Sequence, residues 1–245
     1  MRVMLGTAVN CAAIVIGGVA GLSGGGRMTA RHQSQFKVGL GVAAVYVGLR
    51  MVWGSLNGGF GQVLRELCVI LVGLMIGKTA GKMLFLQRGS NRLGRYAREE
   101  MEKAETREEG VARAPGTGLK VCAALFCVAP LAFLGPLQEA LEDNPYPLLV
   151  KSVLDGLAAF AFAGMFGWGV LLSVIPVAAV QGTVWMAGRG LEGYLRAHDL
   201  IGPVTGVSGF LVFCAGLIIL EIRRIEVAAY LPALAAAPLV ARWFG

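Results

Sequence analysis

The stretch "KSVLDGLAAFAFAGMFGWGVLLSVIPVAAV", residues 151–180, is almost entirely apolar, and its only charged residues are Lys151 and Asp155 near its start. A helix needs roughly 20 apolar residues to cross a hydrocarbon core. The wider segment 148–188 is therefore too long for one crossing, yet too short for two with a real loop between them. The residues "GMFGWG" at 164–169 predict a tight turn between two crossings. The alternative is one crossing plus a re-entrant segment, which is tolerated where protein buries the irregular backbone.

The composition of the whole chain agrees with a membrane protein. Hydrophobic residues make up 56% of it and charged residues only 15%, far from the balance of a soluble globular domain. We therefore predict an all-α, polytopic membrane helix bundle with about eight transmembrane helices, or seven if 148–188 crosses once. The predicted crossings are 3–22, 36–54, 62–84, 119–137, 148–165, 169–188, 203–222 and 227–244.

The formal net charge of +7 is unevenly distributed, and its distribution predicts the orientation of the chain. With eight alternating crossings, three basic loops fall on one side of the membrane and the acidic loop with Glu139, Glu142 and Asp143 falls on the other. Basic loops face the cytoplasm. We expect a multi-pass protein of the cytoplasmic (inner) membrane with both termini outside. The basic residues in question are Arg27, Arg31, Lys37, Lys78, Lys82, Arg88, Arg92, Arg95, Arg98, Arg223 and Arg224.

One long polar stretch divides the chain. Residues 85–118 form a charged linker, in which Glu99 and Lys103 have the spacing of an ion pair on a surface helix. This linker is predicted to be cytoplasmic and partly an amphipathic helix. It separates a first part, residues 1–84 with helices 1–3, from residues 119–245, which hold helix 4 and the second half.

Similar segments recur in the same order in the two parts of the chain, which predicts two repeated four-helix halves. Four crossings in each half would give both halves the same orientation, related by an axis along the membrane normal. Repeats of this kind are common in transporters and channels, where the substrate path lies between the halves. The similar pairs are "AAIVIGGVAG" (12–21) with "AAFAFAGMFG" (158–167), "VAAV" (42–45) with "VAAV" (177–180), "VGLMIGK" (72–78) with "AGLIILE" (215–221), and "APLAFLGPL" (129–137) with "LPALAAAPL" (231–239).

Glycines and prolines inside the predicted crossings are patterned as well. Glycines four residues apart form a stripe that lets helix backbones approach closely, within the chain or, as the alternative, between copies in a homo-oligomer. Prolines free a backbone carbonyl and kink a helix, and kinks at matching places in two halves point to a midplane site. Simple kinks without ligand contact are the other interpretation. The stripe residues are Gly17, Gly21, Gly73, Gly77 and Gly81, and the kink candidates are Pro130, Pro136, Pro176, Pro232 and Pro238.

Four polar residues within the crossings are the candidate transport or ligand site. Lys151 lies only a few residues inside its helix, so it is expected to reach the membrane surface. Asp155 lies a full turn deeper, where an isolated carboxylate costs roughly 3 kcal/mol. The two residues share a helix face and could simply neutralise each other. For Asn10 and Gln181, a hydrogen bond between helices is the competing explanation.

Enzyme and metal signatures are missing from the sequence. "GVSG" at 206–209 resembles a rhomboid-protease motif, but His32 and His198 both precede the serine and lie in predicted loops. The five cysteines form no CxxC pair. We therefore expect no enzyme, no cofactor and no metal site. The bilayer and an unknown small solute or ion are the expected partners, and nucleic acid is not.

Three stretches carry a resemblance that covers nearly the whole chain: "MLGTAVNCAAIVIGGVAGL" (4–22), "FCVAPLAFLGPLQEALEDNPYPLLVKSVLDGLAAFAFA" (126–163), and "GVSGFLVFCAGLIIL" (206–220) with "YLPAL" (230–234). They look like the bacterial membrane proteins grouped as domain of unknown function 554. The resemblance implies a multi-pass inner-membrane protein without a settled activity. Its polar pattern carries over to Asn10, Lys151 and Asp155. The chain departs from it at Lys78, where an acidic residue is expected, and at Ala229, where an asparagine is common.

These observations favour a transporter or channel for a small solute or ion, with Asp155 facing a path between two halves. The alternative is a non-transporting membrane scaffold that binds a partner through the charged segment 85–118.

Overall fold

The computed structural model describes residues 4–24, 30–106 and 115–244. Arg27 and linker residues 107–114 lie outside the described residues, as do the chain ends 1–3 and 245. Eleven α-helices form in the described part, with a 3-10 segment, Gly167–Ser173, between the seventh and the eighth. The helices are α1 (Leu5–Leu22), α2 (Ala30–Ser55), α3 (Phe60–Met83), α4 (Leu86–Glu105), α5 (Pro115–Val128), α6 (Leu131–Glu142), α7 (Tyr146–Phe166), α8 (Val174–Ala197), α9 (Ile201–Ile219), α10 (Val227–Tyr230) and α11 (Ala233–Phe244).

The chain is an all-α membrane bundle, as the composition predicts. By length and apolar composition, five helical runs among the described residues could cross a membrane. The number rises to six if α5 and α6, which are bent by 54° at their junction, count as one broken span. These figures treat residues 146–197 as a single run and leave out the short apolar run 227–243. The predicted total of eight crossings is not confirmed by them.

The run 146–197 reverses its direction within the bundle. Gly6, at the start of α1, lies against Leu148 at the start of α7, and Gly18, near the end of α1, lies against Leu171 in the 3-10 segment. Farther on, Gly182 of α8 lies against Met4, back at the start of α1. The chain therefore passes along α1 in one direction as α7 and returns as α8. This geometry favours two passes over one pass with a re-entrant segment.

Gly167 makes the reversal possible. It ends α7 with φ 72°, in a region of backbone space that a residue with a Cβ rarely adopts. The predicted turn "GMFGWG" thus coincides with the end of α7 and the start of the 3-10 segment.

Each helix of the first part makes its most extensive contact with a helix of the second part. The helix α1 packs on α7, α2 packs on α9, and α3 packs on α11. The parts 1–84 and 119–245 are therefore interleaved rather than side by side. The ends of α1, α3 and α9 lie with α4 at one end of the bundle, which we call the α4 end. The starts of α1 and α7 and the α8–α9 turn lie at the opposite end, which we call the far end.

Two helix breaks occur at or next to prolines. The chain leaves helical geometry at Pro130, between α5 and α6, and again next to Pro232, between α10 and α11. The downstream helices then contain Pro136 and Pro238, respectively. Proline interrupts a helix because it lacks the N–H group and its ring clashes with the preceding turn. Pro176 differs, because it lies in the first turn of α8, directly after the 3-10 segment, where a missing N–H is tolerated; that it kinks a helix stays a prediction.

The glycine stripes lie at contacts within the chain. A methyl group at Gly17 would be 2.0 Å from the carbonyl oxygen of Gly156, and one at Gly21 would be 2.2 Å from that of Phe160. On α3, Gly73, Gly77 and Gly81 face α10 and α11 in the same way. These glycines let the helix pairs approach to backbone contact, as expected where lipid supplies no hydrophobic drive between helices.

The linker helix α4 packs against the α4 end of the bundle. Ala97 is fully buried, and Tyr96, Met101 and Ala104 pack with it against a cluster that includes Val121 and Phe126. Its arginines, including Arg92 and Arg95, point away and are exposed. This part of the linker is thus an amphipathic helix that belongs to the folded bundle.

Candidate functional site

The α1–α7 contact brings together three of the four predicted polar site residues. The Nδ2 atom of Asn10 donates a hydrogen bond to Oδ2 of Asp155 at 3.1 Å. The ammonium group of Lys151, one turn earlier on α7, forms an ion pair with the same carboxylate oxygen. The cluster of Asn10, Lys151 and Asp155 therefore joins the first part of the chain to the second.

All three members of this cluster are buried. Asn10 is 0% exposed, Lys151 1% and Asp155 6%. The expectation that Lys151 reaches the membrane surface is wrong. Its ammonium turns inward, 5.8 Å from the centre of the Phe126 ring, because the Asp155 carboxylate lies on the same face of α7.

The surroundings of the cluster are mostly apolar. Cys122 and Phe126 of α5 are buried beside it, and Cys11 and Cys127 lie within electrostatic range of its two charges. In the part of the chain that the structure describes, no group of three or more histidine, cysteine or acidic side chains could hold a metal ion. The cluster therefore offers one carboxylate, one ammonium and one amide in a setting of low polarity.

Several polar atoms near the start of α1 are buried without a hydrogen-bond partner among the described residues. They include Oδ1 of Asn10, Oγ1 of Thr7 and both amide atoms of Gln181 on α8. Gln181 is 1% exposed, but it makes no hydrogen bond to the cluster. The structure thus places three predicted site residues in contact and leaves the fourth apart from them. Each unpartnered group costs roughly 1–3 kcal/mol unless water or a solute satisfies it.

Glu139 is a buried acid that sequence reasoning assigned to an exposed loop. The helix α6 continues through it to Glu142, and its side chain is 4% exposed. Its Oε1 atom accepts a hydrogen bond of 2.7 Å from the backbone N–H of Gly6, in the first turn of α1. A carboxylate at a helix N-terminus is stabilised by the unpaired N–H groups and the helix dipole. Since 133 residues separate the two partners, no local spacing signals this contact.

A cavity of about 320 Å³ at the far end was not predicted at all. It lies between the start of α3, the α8–α9 turn and the end of α11, and Arg65, Glu66, Asp199 and Arg242 are among its lining residues. None of the predicted site residues lines it. The charges that surround it come from segments distant in sequence, which explains why no motif pointed to it.

Comparison with known proteins identifies a family. The profile described as "Protein of unknown function (DUF554)" matches residues 5–242. The chain is 26% identical over 238 residues to the "Uncharacterized membrane protein YdfK" of Bacillus subtilis (strain 168), which covers 97% of this chain and 95% of that protein. It is also 26% identical over 249 residues to the "Uncharacterized protein YqgA" of Escherichia coli (strain K12), covering 98% and 97%. No solved structure matches.

Proposed function

The chain belongs to the DUF554 family of membrane proteins of unknown function, and we propose that it is a transporter or channel for a small solute or ion. The observation that carries this proposal is the buried cluster of Asn10, Lys151 and Asp155 between α1 and α7. A buried ion pair is a weak source of stability, because the desolvation of both charges offsets their attraction. Ionisable residues at membrane depth are costly and usually serve ion or substrate pathways.

The position of the cluster supports the same function. It lies where residues 1–84 meet residues 119–245, and each of the two predicted four-helix halves contains a broken helix, at Pro130 and at Pro232. In transporters built from repeats, binding sites occur at the contact between the repeats and beside discontinuous helices. We extend that architecture to this chain by analogy.

In the proposed mechanism, Asp155 is the binding group and Lys151 is its internal competitor. A cation, or the positive group of a solute, displaces the Lys151 ammonium from the carboxylate, and the ammonium returns when the ligand leaves. Asn10 holds Oδ2 of Asp155 in place while its own Oδ1 remains available. The free polar atoms of Thr7 and Gln181 lie on helices that contact one another, α1 and α8, and offer further polar contacts along the path.

The experiment is a transport assay on purified protein in liposomes on a solid-supported membrane. The protein is challenged in turn with H⁺, Na⁺, K⁺, Cl⁻ and a mixture of neutral amino acids. We expect a current with at least one of them, and we expect Asp155→Asn to remove it while the protein still folds and inserts. The matched control is Ser152→Ala, also buried on α7, whose hydroxyl bonds only to its own helix at Leu148. A current that survives in Asp155→Asn would contradict the proposal.

The alternative function, a scaffold acting through the linker, has one supporting observation. The exposed face of α4 carries Arg88, Arg92, Arg95 and Arg98, while its other face is packed on the bundle. Replacing Arg92 and Arg95 with glutamate changes that face without exposing the packed one. Loss of the cellular function in this variant, with transport in liposomes intact, would favour the scaffold.

A further inference from the structure

We propose that the cavity at the far end binds a small zwitterion with an apolar side chain, of the size and chemistry of a neutral α-amino acid. The cavity is separate from the cluster of Asn10, Lys151 and Asp155, since none of those residues lines it. The inference does not depend on the proposed transport function, because a ligand can bind here whether or not the chain moves a solute.

The charges around the cavity are balanced and come from three segments. Arg65 and Glu66 are consecutive residues of α3, Asp199 lies in the α8–α9 turn, and Arg242 is near the end of α11. Two positive and two negative side chains favour a ligand that is neutral overall but carries both charges. The four side chains sum to zero charge, so a ligand with one charge alone would leave the occupied cavity with a net charge.

Part of this charged rim is held in place by the protein. The Nη1 atom of Arg242 donates a hydrogen bond to the Tyr194 hydroxyl, and Nδ1 of His198 lies 2.9 Å from the Tyr194 carbonyl oxygen. The Oε2 atom of Glu66 accepts a hydrogen bond of 2.9 Å from the backbone N–H of Asn57. Groups that are fixed before the ligand arrives lose less side-chain entropy on binding.

Other charged atoms on the rim remain available. Among the described residues, neither the Arg65 guanidinium nor Oε1 of Glu66 has a hydrogen-bond partner. A guanidinium binds a carboxylate through two parallel N–H donors, and a carboxylate oxygen accepts from an ammonium group. Arg65 and Glu66 are therefore assigned to the carboxylate and the ammonium of the ligand.

The floor of the cavity is apolar. Val69 and Ile70 of α3 and Leu200, just before α9, line it and are each 5% exposed. The volume of about 320 Å³ lies at the lower end of the range for small-molecule sites and limits the ligand to a few carbons beyond its charged groups. Together, the rim and the floor fit an α-amino acid with a branched apolar side chain.

Titration calorimetry on the purified full-length protein tests this assignment with three probes of one shape. L-leucine carries both charges, 4-methylpentanoate lacks the ammonium, and isoamylamine lacks the carboxylate. We expect L-leucine to bind at least about tenfold more tightly than either analogue. No detectable heat with L-leucine, or binding of 4-methylpentanoate as tight as that of L-leucine, would overturn the proposal.

Two variants test which cavity residue contacts the carboxylate of the ligand and which contacts its ammonium. Arg65→Gln should weaken the binding of L-leucine about tenfold and leave isoamylamine unchanged, whereas Glu66→Gln should weaken L-leucine and leave 4-methylpentanoate unchanged. Arg92→Gln, an exposed arginine on α4 at the other end of the bundle, is the control and should bind as the wild type does. Unchanged L-leucine binding in both cavity variants would contradict the assignment. Because the two variants lie in a cavity that contains none of Asn10, Lys151 and Asp155, failure of this inference is distinguishable from failure of the transport proposal.

Discussion

Glycines bring the backbones of α2 and α9 together just as they do for α1 and α7. A methyl group at Gly48 would lie 2.3 Å from the Phe213 nitrogen, and one at Gly17 would lie 2.0 Å from the Gly156 oxygen. The two pairs are also comparably extensive. They differ in chemistry, since α9 carries no charged residue whereas α7 contributes Lys151 and Asp155 to its contact with α1.

This comparison shows that the bundle can pack two glycine-lined helices without a buried ion pair. The charges at the α1–α7 contact are therefore not explained by packing. They bring a desolvation cost that the α2–α9 contact avoids, and they place a carboxylate where the two parts of the chain meet. This difference is the strongest argument that the α1–α7 contact has a function beyond folding.

The largest effect is expected when the ion pair is broken on one side. Asp155→Ala leaves the Lys151 ammonium buried without a counter-charge, which should lower the free energy of unfolding by about 3–5 kcal/mol. Thermal unfolding in detergent measures the loss. As the control in the second pair, Ser208→Ala on α9 removes a buried hydroxyl that has no partner among the described residues, and should be close to neutral. A loss of similar size in both variants would remove the distinction between the pairs.

The second largest loss of stability is expected at the close-contact glycines, and it should be equal in the α1–α7 and α2–α9 pairs. Gly17→Ala and Gly48→Ala each force a methyl group against the backbone of the partner helix, so each should cost about 1–3 kcal/mol. The control Gly164→Ala, on α7 with nothing within 4 Å of the added methyl group, should not destabilise the protein. If only the α1–α7 variant loses stability, the two contacts are not packed alike.

A smaller effect is expected at Glu139, which lies against the start of α1. Glu139→Ala leaves the Gly6 N–H without its acceptor. We expect a loss of about 1 kcal/mol in unfolding free energy. An equal loss in Glu99→Ala, at an exposed acid on α4, would show that the Gly6 contact is not the cause.

The smallest effect concerns the α4 end of the α2–α9 pair, where Lys37 forms an exposed ion pair with Glu221. The hydrogen bond from Lys37 lowers the pKa of the Glu221 carboxyl. Because the pKa of Glu221 is lowered on folding, the ion pair stabilises the folded state fully above the ordinary glutamate pKa. This stabilisation is lost as the pH falls through the lowered pKa. The unfolding temperature of Glu221→Gln should be slightly below that of the wild type at neutral pH and equal to it in acid. A difference that persists in acid would exclude this pair as its source.

The sequence predicts those features that depend on local composition. The apolar runs define the helices, the prolines at 130 and 232 mark two breaks, and "GMFGWG" marks the end of α7. The sequence does not predict which helices pack together, because an apolar helix face does not specify which other helix it contacts. The inward turn of Lys151, the contact of Glu139 with α1 and the cavity at the far end all depend on that packing. Depth along the helix was a poor guide to Lys151, because its ammonium pairs with Asp155 one turn later and lies over the Phe126 ring of α5.

The most direct test makes the α1–α7 contact resemble the α2–α9 contact. The triple variant Asn10→Leu with Lys151→Met and Asp155→Leu replaces both charges, and the amide that bonds to Asp155, by apolar side chains of similar size. Such replacements are often neutral or stabilising by about 1–4 kcal/mol. Unfolding and transport are measured on the same preparation. We predict unchanged or higher stability together with loss of the current; a current equal to that of the wild type, or a loss of stability as large as that of Asp155→Ala, would contradict the account.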